Sequence, residues 1–261
     1  MTDEPFLLRE DDAGVATLTL NRPKSRNSLS LGMLKAFRAA LAAIADDQSV
    51  RVLIIAGAGH AFCAGHDLKE IQAQGYGRAY SEELFAECTA VMEAIVRLPK
   101  PVIARVHGVA TAAGCQLVAT CDLAFAATDA RFATPGVNIG LFCSTPMVAL
   151  SRNVAHKHAM QMLLSGGLIN AETALRIGLI NEAVPPAELV AHTQAFARQL
   201  AAKSPLTLAT GKEAFYRQAE LPLSAAYAYA SEVMIRNLQT QDAQEGIEAF
   251  IEKRVPAWQG R

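Results

Sequence analysis

The sequence has no CxxC pair, no long basic run, no fixed-period repeat and no low-complexity linker. It also lacks any apolar run of the ~18 residues that a membrane-spanning helix needs. Its five cysteines, Cys63, Cys88, Cys115, Cys121 and Cys143, are odd in number. That argues against a disulfide framework and for reduced, mostly buried thiols. Lysine and arginine total 24 against 25 acidic residues, a net charge of −1. A general nucleic-acid footprint is therefore not expected, although a local cationic pocket for one phosphorylated ligand is compatible with that balance. The N-terminal stretch MTDEPFLLREDDAG is acidic and shows neither a cationic region before an apolar core nor an Arg-rich character. It reads neither as a secretory signal nor as a mitochondrial presequence. A cytoplasmic protein with no nucleic-acid or membrane partner is the expectation.

What is present is enough for a sizeable core. Of 261 residues, 51% are apolar and 19% charged, which suits one large domain, or one domain with a C-terminal appendage. The first half alternates strand and helix signals. GVATLTLN (14–21) reads as a strand entered from a DDAG turn. Ser30 can cap an amphipathic helix in which Met33, Leu34, Phe37, Leu41 and Ile44 recur at helical spacing. RVLIIAG (51–57) reads as a strand buried on both faces. A helix is expected from about Ser81 to Leu98, then strands in VIARVHG (102–108) and DLAFAA (122–127). After about Ala155 the pattern is mainly helical. The whole is an α/β core followed by a helical region.

Three segments follow buried strands, where open α/β sheets commonly place ligands. AGAGHAFCAGHDLKE (56–70) has glycines that let backbone N–H groups approach a ligand. HGVATAAGCQLVATCD (107–122) places small residues before a helix beginning near Ala113, whose first N–H groups are free to bind an anion. FATPGVNIGLFCSTP (132–146) is too apolar and turn-rich for a plain surface loop. Taken residue by residue, a flexible loop or close helix–sheet packing explains the first two equally well.

Together these stretches resemble the crotonase family, the enoyl-CoA hydratases and isomerases. NRPKSRNSLS resembles its N-R-P-x-x-x-N-A-L element and AFCAGHDLKE its F-C-A-G-A-D-L-K-E. KPVIARVHGVATAAGCQLVATCDLAFA resembles K-P-V-I-A-x-V-x-G-x-A-x-G-G-G-x-E-L-A-x-A-C-D. LLSGGLINAETALRIGLINEAV and EGIEAFIEKRVPAW resemble two later blocks, so the likeness runs nearly end to end. GHDLKE, AAGCQLVA and FATPGVNIGLFCSTP look like one particular branch. The resemblance implies the ClpP/crotonase-like α/β spiral of repeated β-β-α units with a helical C-terminal region. It implies a core over 1–200, a helical oligomerisation region over 201–261, and a homotrimer or a dimer of trimers.

The resemblance also implies an acyl-CoA thioester as substrate, with no cofactor beyond that coenzyme A and no metal. The thioester oxygen would sit between the backbone N–H groups of His66 and Ala113, in an oxyanion hole whose donors each count for about 2.7–4 kcal/mol in the transition state. The imidazole of His66 adds a side chain that most relatives lack there. Lys24 and Lys69 resemble cations near the nucleotide phosphates, and the Ala64 and His66 backbones would meet the pantetheine and adenine portion beside Asp67 and Leu68. Asp67 is expected to order its loop rather than move protons.

This sequence departs from the family at the acids. The hydratases' first glutamate falls at Gln116 and their second at Gly136. Neither residue can move a proton near neutral pH, and each such group is worth roughly 10²–10⁴ in rate. Cys143, Ser144 and Thr145 stand where a turn of proline and small residues is usual. Cys143 is a nucleophile or acid candidate against a structural thiol, and Ser144 and Thr145 can cap a helix starting near Pro146. Three readings stay open: an acyl-CoA enzyme whose chemistry has moved to His66 or the Cys143–Thr145 turn, a non-catalytic acyl-CoA binder, and a subunit kept for assembly.

Overall fold

The computed structural model describes residues 4–261. Strands β1 (Leu7–Asp12) and β2 (Val15–Leu20) form a hairpin through the positive-φ pair Ala13–Gly14. Helix α1 (Leu31–Asp46) follows, and Ser30 Oγ accepts the Met33 N–H at 3.1 Å as its cap. The five apolar residues expected to face inward are the ones it buries, at about 1.5–3 kcal/mol per large side chain. Strand β3 (Val52–Gly57) lies between β2 and β4 (Val102–Val106), parallel to both. Its residues Val52 to Ala56 are all buried, as two covered faces require.

The chain then rises in repeated units that alternate between two sheets. The large sheet runs β1-β2-β3-β4-β6-β9, with β6 at Leu123–Ala127 and β9 at Glu182–Val184; the small one runs β5-β7-β8, with β5 at Val109–Thr111, β7 at Arg131–Ala133 and β8 at Ile169–Asn170. After β3, Cys63 makes a one-residue bridge beside Ala110 of the small sheet, and α2 (Leu68–Ala73) and α3 (Arg78–Arg97) follow. After β4 come β5 and α4 (Ala113–Thr120). After β6 come β7, a 3-10 turn (Pro135–Ile139) and α5 (Ser144–Asn153). This is the β-β-α spiral that the family resemblance implies.

Helices α6 (His156–Ser165), α7 (Ala171–Arg176) and α8 (Leu189–Ala201) complete the core, with α8 lying across β2, β3, β4 and β6. Helices α9 (Pro205–Gln218), α10 (Leu223–Leu238) and α11 (Gln241–Glu252) form the helical end, and α9 and α10 bury none of their residues within the chain. What ties α9 down is Asp122. Its carboxylate takes Lys212 Nζ at 2.7 Å, the Tyr216 hydroxyl at 2.8 Å and the Val102 N–H at 2.7 Å.

Several expectations are corrected. β1 precedes the first expected strand, and α3 begins at Arg78 rather than Ser81. Cys115 lies inside α4, with only Cys121 at its end. Neither Ser144 nor Thr145 caps α5: Cys143 holds the cap position without a side-chain bond, and Ser144 Oγ turns back to the Phe142 carbonyl at 3.3 Å. The helix starts early enough to take both hydroxyl residues into its first turn.

Candidate active site

The spiral itself assembles the site. Cys63 bridges Ala110, and Ala110 pairs with Phe132, so three successive units share one rung. Three positions beyond that rung stand His66, Ala113 and Pro135, with Gly136 next. Residues far apart in sequence thus leave the small sheet at equivalent points.

Gly65 makes the first donor possible. Its φ is +97°, and a Cβ there would lie 2.8 Å from the Ala112 Cβ and 3.3 Å from the Ala113 nitrogen. Only glycine permits both the angle and the approach. The flanking bonds are committed: Gly65 O accepts the Leu29 N–H at 2.8 Å, and Asp67 N–H goes to Leu29 O at 3.4 Å. Between them the His66 N–H makes no hydrogen bond among the described residues. Ala113, first residue of α4, is equally free, because the preceding Ala112 N–H goes to Ala133 O at 2.9 Å and the intrahelical pattern resumes with Gln116 N–H to Ala112 O. Two unpartnered N–H groups therefore stand on adjoining segments, the second aided by the helix dipole.

The backbone strain lies at Ala112, just before the helix. Ala113 is plainly helical, whereas Ala112 takes φ +51° and ψ −119°. A side chain there costs roughly 1–3 kcal/mol.

The His66 imidazole is largely buried, edge-on to Phe85 with ring centroids 5.2 Å apart. Its Nε2 has no partner, and burial pushes its pKa down to about 4. The ring is neutral at pH 7. Gln116, 6% exposed on α4, also leaves its Oε1 unpartnered, as does the hydroxyl of fully buried Thr134, which follows β7. Motif comparison does not reveal Thr134, and burial of a polar group with no bond was its only signal.

Gly136 is closed rather than vacant. A Cβ there would meet the Leu141 carbonyl oxygen at 2.7 Å and Cys143 Sγ at 3.0 Å. Cys143 is buried and accepts the Gly136 N–H, and burial pushes its thiol up. A raised thiol has little thiolate, and this sulfur is already engaged by the Gly136 N–H. Ser144 and Thr145 stand on the first turn of α5, which packs against α4, and the Ser144 hydroxyl donates to the Phe142 carbonyl.

Asp67 caps α2, its Oδ1 accepting the Lys69 and Glu70 N–H groups at 3.1 and 3.2 Å while Oδ2 takes the Ser28 hydroxyl at 3.1 Å. That is the loop-ordering role. Lys24 and Lys69 are exposed and in no ion pair among the described residues, and Leu68 is exposed beside Lys69. Ala64 donates its N–H to Arg26 O at 3.0 Å, and its carbonyl accepts from the Thr111 hydroxyl at 3.1 Å. Only the carbonyl's second lone pair is left for a ligand.

The chain matches the enoyl-CoA hydratase/isomerase family over residues 10–261. It is 48% identical to mouse enoyl-CoA hydratase domain-containing protein 3, across 96% of this chain and 83% of that protein. The crystal structure of human enoyl-CoA hydratase domain-containing protein 3 is 46% identical with TM-score 0.94, covering 97% of this chain and all of that one. A structure of an enoyl-CoA hydratase from Mycobacterium smegmatis is 54% identical with TM-score 0.95, covering 98% of this chain and 99% of that one. These matches bear out both the crotonase spiral and the branch that the three short stretches resemble. The cytoplasmic expectation is overturned: the mouse, Xenopus laevis and human relatives are all named as mitochondrial proteins. Unpaired buried thiols fit any reducing compartment and so do not single out the cytoplasm.

Proposed function

The chain belongs to the enoyl-CoA hydratase/isomerase family, and from that premise we propose that it binds an acyl-CoA thioester without performing two-acid hydration. The observation that carries this is the combination of a free His66/Ala113 N–H pair with a closed Gly136. The pair can polarise a thioester carbonyl and hold an enolate oxygen, since donors fixed before reaction stabilise developing charge most. Gln116 can orient a water or a substrate hydroxyl but cannot exchange a proton with it. In this reading Lys24 and Lys69 meet the phosphates, and α9–α11 join three chains into a trimer. The test is crotonyl-CoA hydration followed by loss of enone absorbance, beside acyl-CoA titration calorimetry. The reading expects binding with no turnover above a His66→Ala control. Rapid hydration by the unaltered chain overturns it.

A second reading rests on His66. Its pKa near 4 places the imidazole in the range of the missing carboxylates, so it can serve as base toward the α-carbon beside the oxyanion hole. Mass spectrometry of butyryl-CoA incubated with the protein in D2O tests it. Deuterium uptake lost in His66→Ala supports a proton-transfer enzyme, and no uptake leaves the binder.

A further inference from the structure

A second cavity opens at the start of β7, whereas Thr134 and Gly136 follow its end. It has a volume of about 680 Å³ and lies between β7, α6, β8 and α7. Arg131 of β7, His158 of α6 and Arg176 of α7 line it, and no aspartate or glutamate does among the described residues. Arg131 is held ready: its Nη1 donates to the carbonyls of Asp129 and Ala130, both at 2.9 Å, leaving Nε and Nη2 without partners. Neither Arg131 nor Arg176 joins an ion pair among the described residues, whereas Arg9, Arg38, Arg198 and Arg254 each rest on a carboxylate. In a chain of net charge −1, this is an uncompensated local concentration of positive charge.

Two guanidinium groups lining one concavity repel each other unless an anion lies between them. Arginine's planar fork favours oxyanions that accept in pairs, phosphate and carboxylate above all. Met162 and Ile177, both nearly fully buried, supply an apolar lining, and the volume falls within the range of small-molecule sites. We propose that this cavity binds a phosphomonoester of a small metabolite, with the phosphate on Arg131 and Arg176 and the body over Met162 and Ile177. It is a site separate from the thioester oxygen's donors and does not depend on the acyl-CoA reading.

The test titrates the full chain with AMP, inorganic phosphate and adenosine by calorimetry, together with R131A/R176A and with R176A alone. AMP is expected to bind, phosphate more weakly, and adenosine not at all. The double variant should lose roughly tenfold or more in AMP affinity, about 1.4 kcal/mol, because it removes both charge-assisted partners of the phosphate. Acyl-CoA affinity and sedimentation mass should stay unchanged. The exposed Arg176 side chain, at the end of α7, makes no hydrogen bond or ion pair among the described residues, so R176A keeps the test intact should the double variant unfold, and it should weaken AMP several-fold. Unchanged AMP affinity in the variants overturns the proposal. So does a parallel loss of acyl-CoA binding, which would make the cavity part of the thioester site, or a changed mass, which would make it a contact between copies.

Discussion

Cys143 Sγ accepts the backbone N–H of Gly136 at 3.4 Å, while the Gly136 carbonyl takes the Leu141 N–H at 2.9 Å. The turn is therefore stitched shut over the place where a hydratase's second glutamate would project. A glutamate at this position would thus need space that the Leu141 carbonyl and the Cys143 thiol already occupy.

Restoring that acid should therefore fail. Gly136→Glu must push aside the Leu141 carbonyl, and we expect a loss of roughly 1–3 kcal/mol in stability, typical of overpacking. Hydration should not appear, alone or with Gln116→Glu. Urea melts and the crotonyl-CoA assay check this. A stable, hydrating Gly136→Glu variant would show that the turn opens freely.

Ala112 offers the opposite change. At φ +51° it occupies a region where glycine carries no steric penalty. Ala112→Gly should relieve about 1–3 kcal/mol of strain while losing about 0.4–1 kcal/mol to the freer unfolded chain. A net gain of roughly 1 kcal/mol is expected in chemical denaturation, with acyl-CoA binding preserved because the Ala113 N–H stays in place.

His66 should leave a signature in pH. Unfolded, it titrates near 6.5; folded, near 4. Between these values the unfolded chain binds the extra proton, so the contribution of His66 to stability rises with pH through that window. It is lost progressively as pH falls from about 6.5 to 4, by up to about 3 kcal/mol. The difference between the unaltered chain and His66→Leu, melted in urea from pH 4 to 7, isolates it. Parallel curves for the two proteins would contradict a buried, neutral ring.

The donor pair was open to reading from sequence because it depends on local signals: glycine-rich loops, a helix start and motif order. Ser30 and the buried face of α1 were open for the same reason, since capping and 3.6-residue spacing are local. Closure at Gly136 was not, because the glycine shows only that an acid is missing. The Leu141 carbonyl and Cys143 thiol that fill the space arrive through the fold of the turn. Phe85 against His66 likewise depends on how α3 folds back on the loop after β3, and the unpartnered Thr134 hydroxyl on the packing around the end of β7. The small strands β5, β7 and β8 are two or three residues long, too short for periodicity to register.

Asp122 anchors the helical end. Lys212 is almost wholly buried beside it, and burial lowers the lysine's pKa against the opposing pull of the carboxylate. Asp122→Ala removes that ammonium's counter-charge and leaves it only the Ile95 and Lys100 carbonyls, at 2.8 and 3.0 Å, which costs about 3–5 kcal/mol. It also frees the Tyr216 hydroxyl, so α9 loses both of its side-chain bonds to Asp122. Limited proteolysis should cut near 202–204, between α8 and α9, far faster than in the unaltered chain. Equal protection would mean that packing of α9 alone suffices.

Beyond that anchor and the buried Asp242, which takes the Ser204 hydroxyl and the Gln259 N–H, the helical end leaves much apolar surface exposed. Phe250 is 85% exposed, Ile251 71% and Val255 88%, and Leu223, Tyr227 and Met234 of α10 are each 70% exposed or more. Contiguous apolar surface on this scale marks a contact face in a folded protein. The proposed trimer would cover it, and sedimentation should give about three times the chain mass of 27.8 kDa, or twice that again if trimers pair. Phe250→Asp with Leu223→Asp places two charges on that face, and burying unpaired charge is costly. The variant should sediment as a smaller species while keeping its core, as read by unchanged far-ultraviolet dichroism. A monomeric unaltered chain at micromolar concentration would remove the assembly from the proposal and leave the apolar helices without a partner.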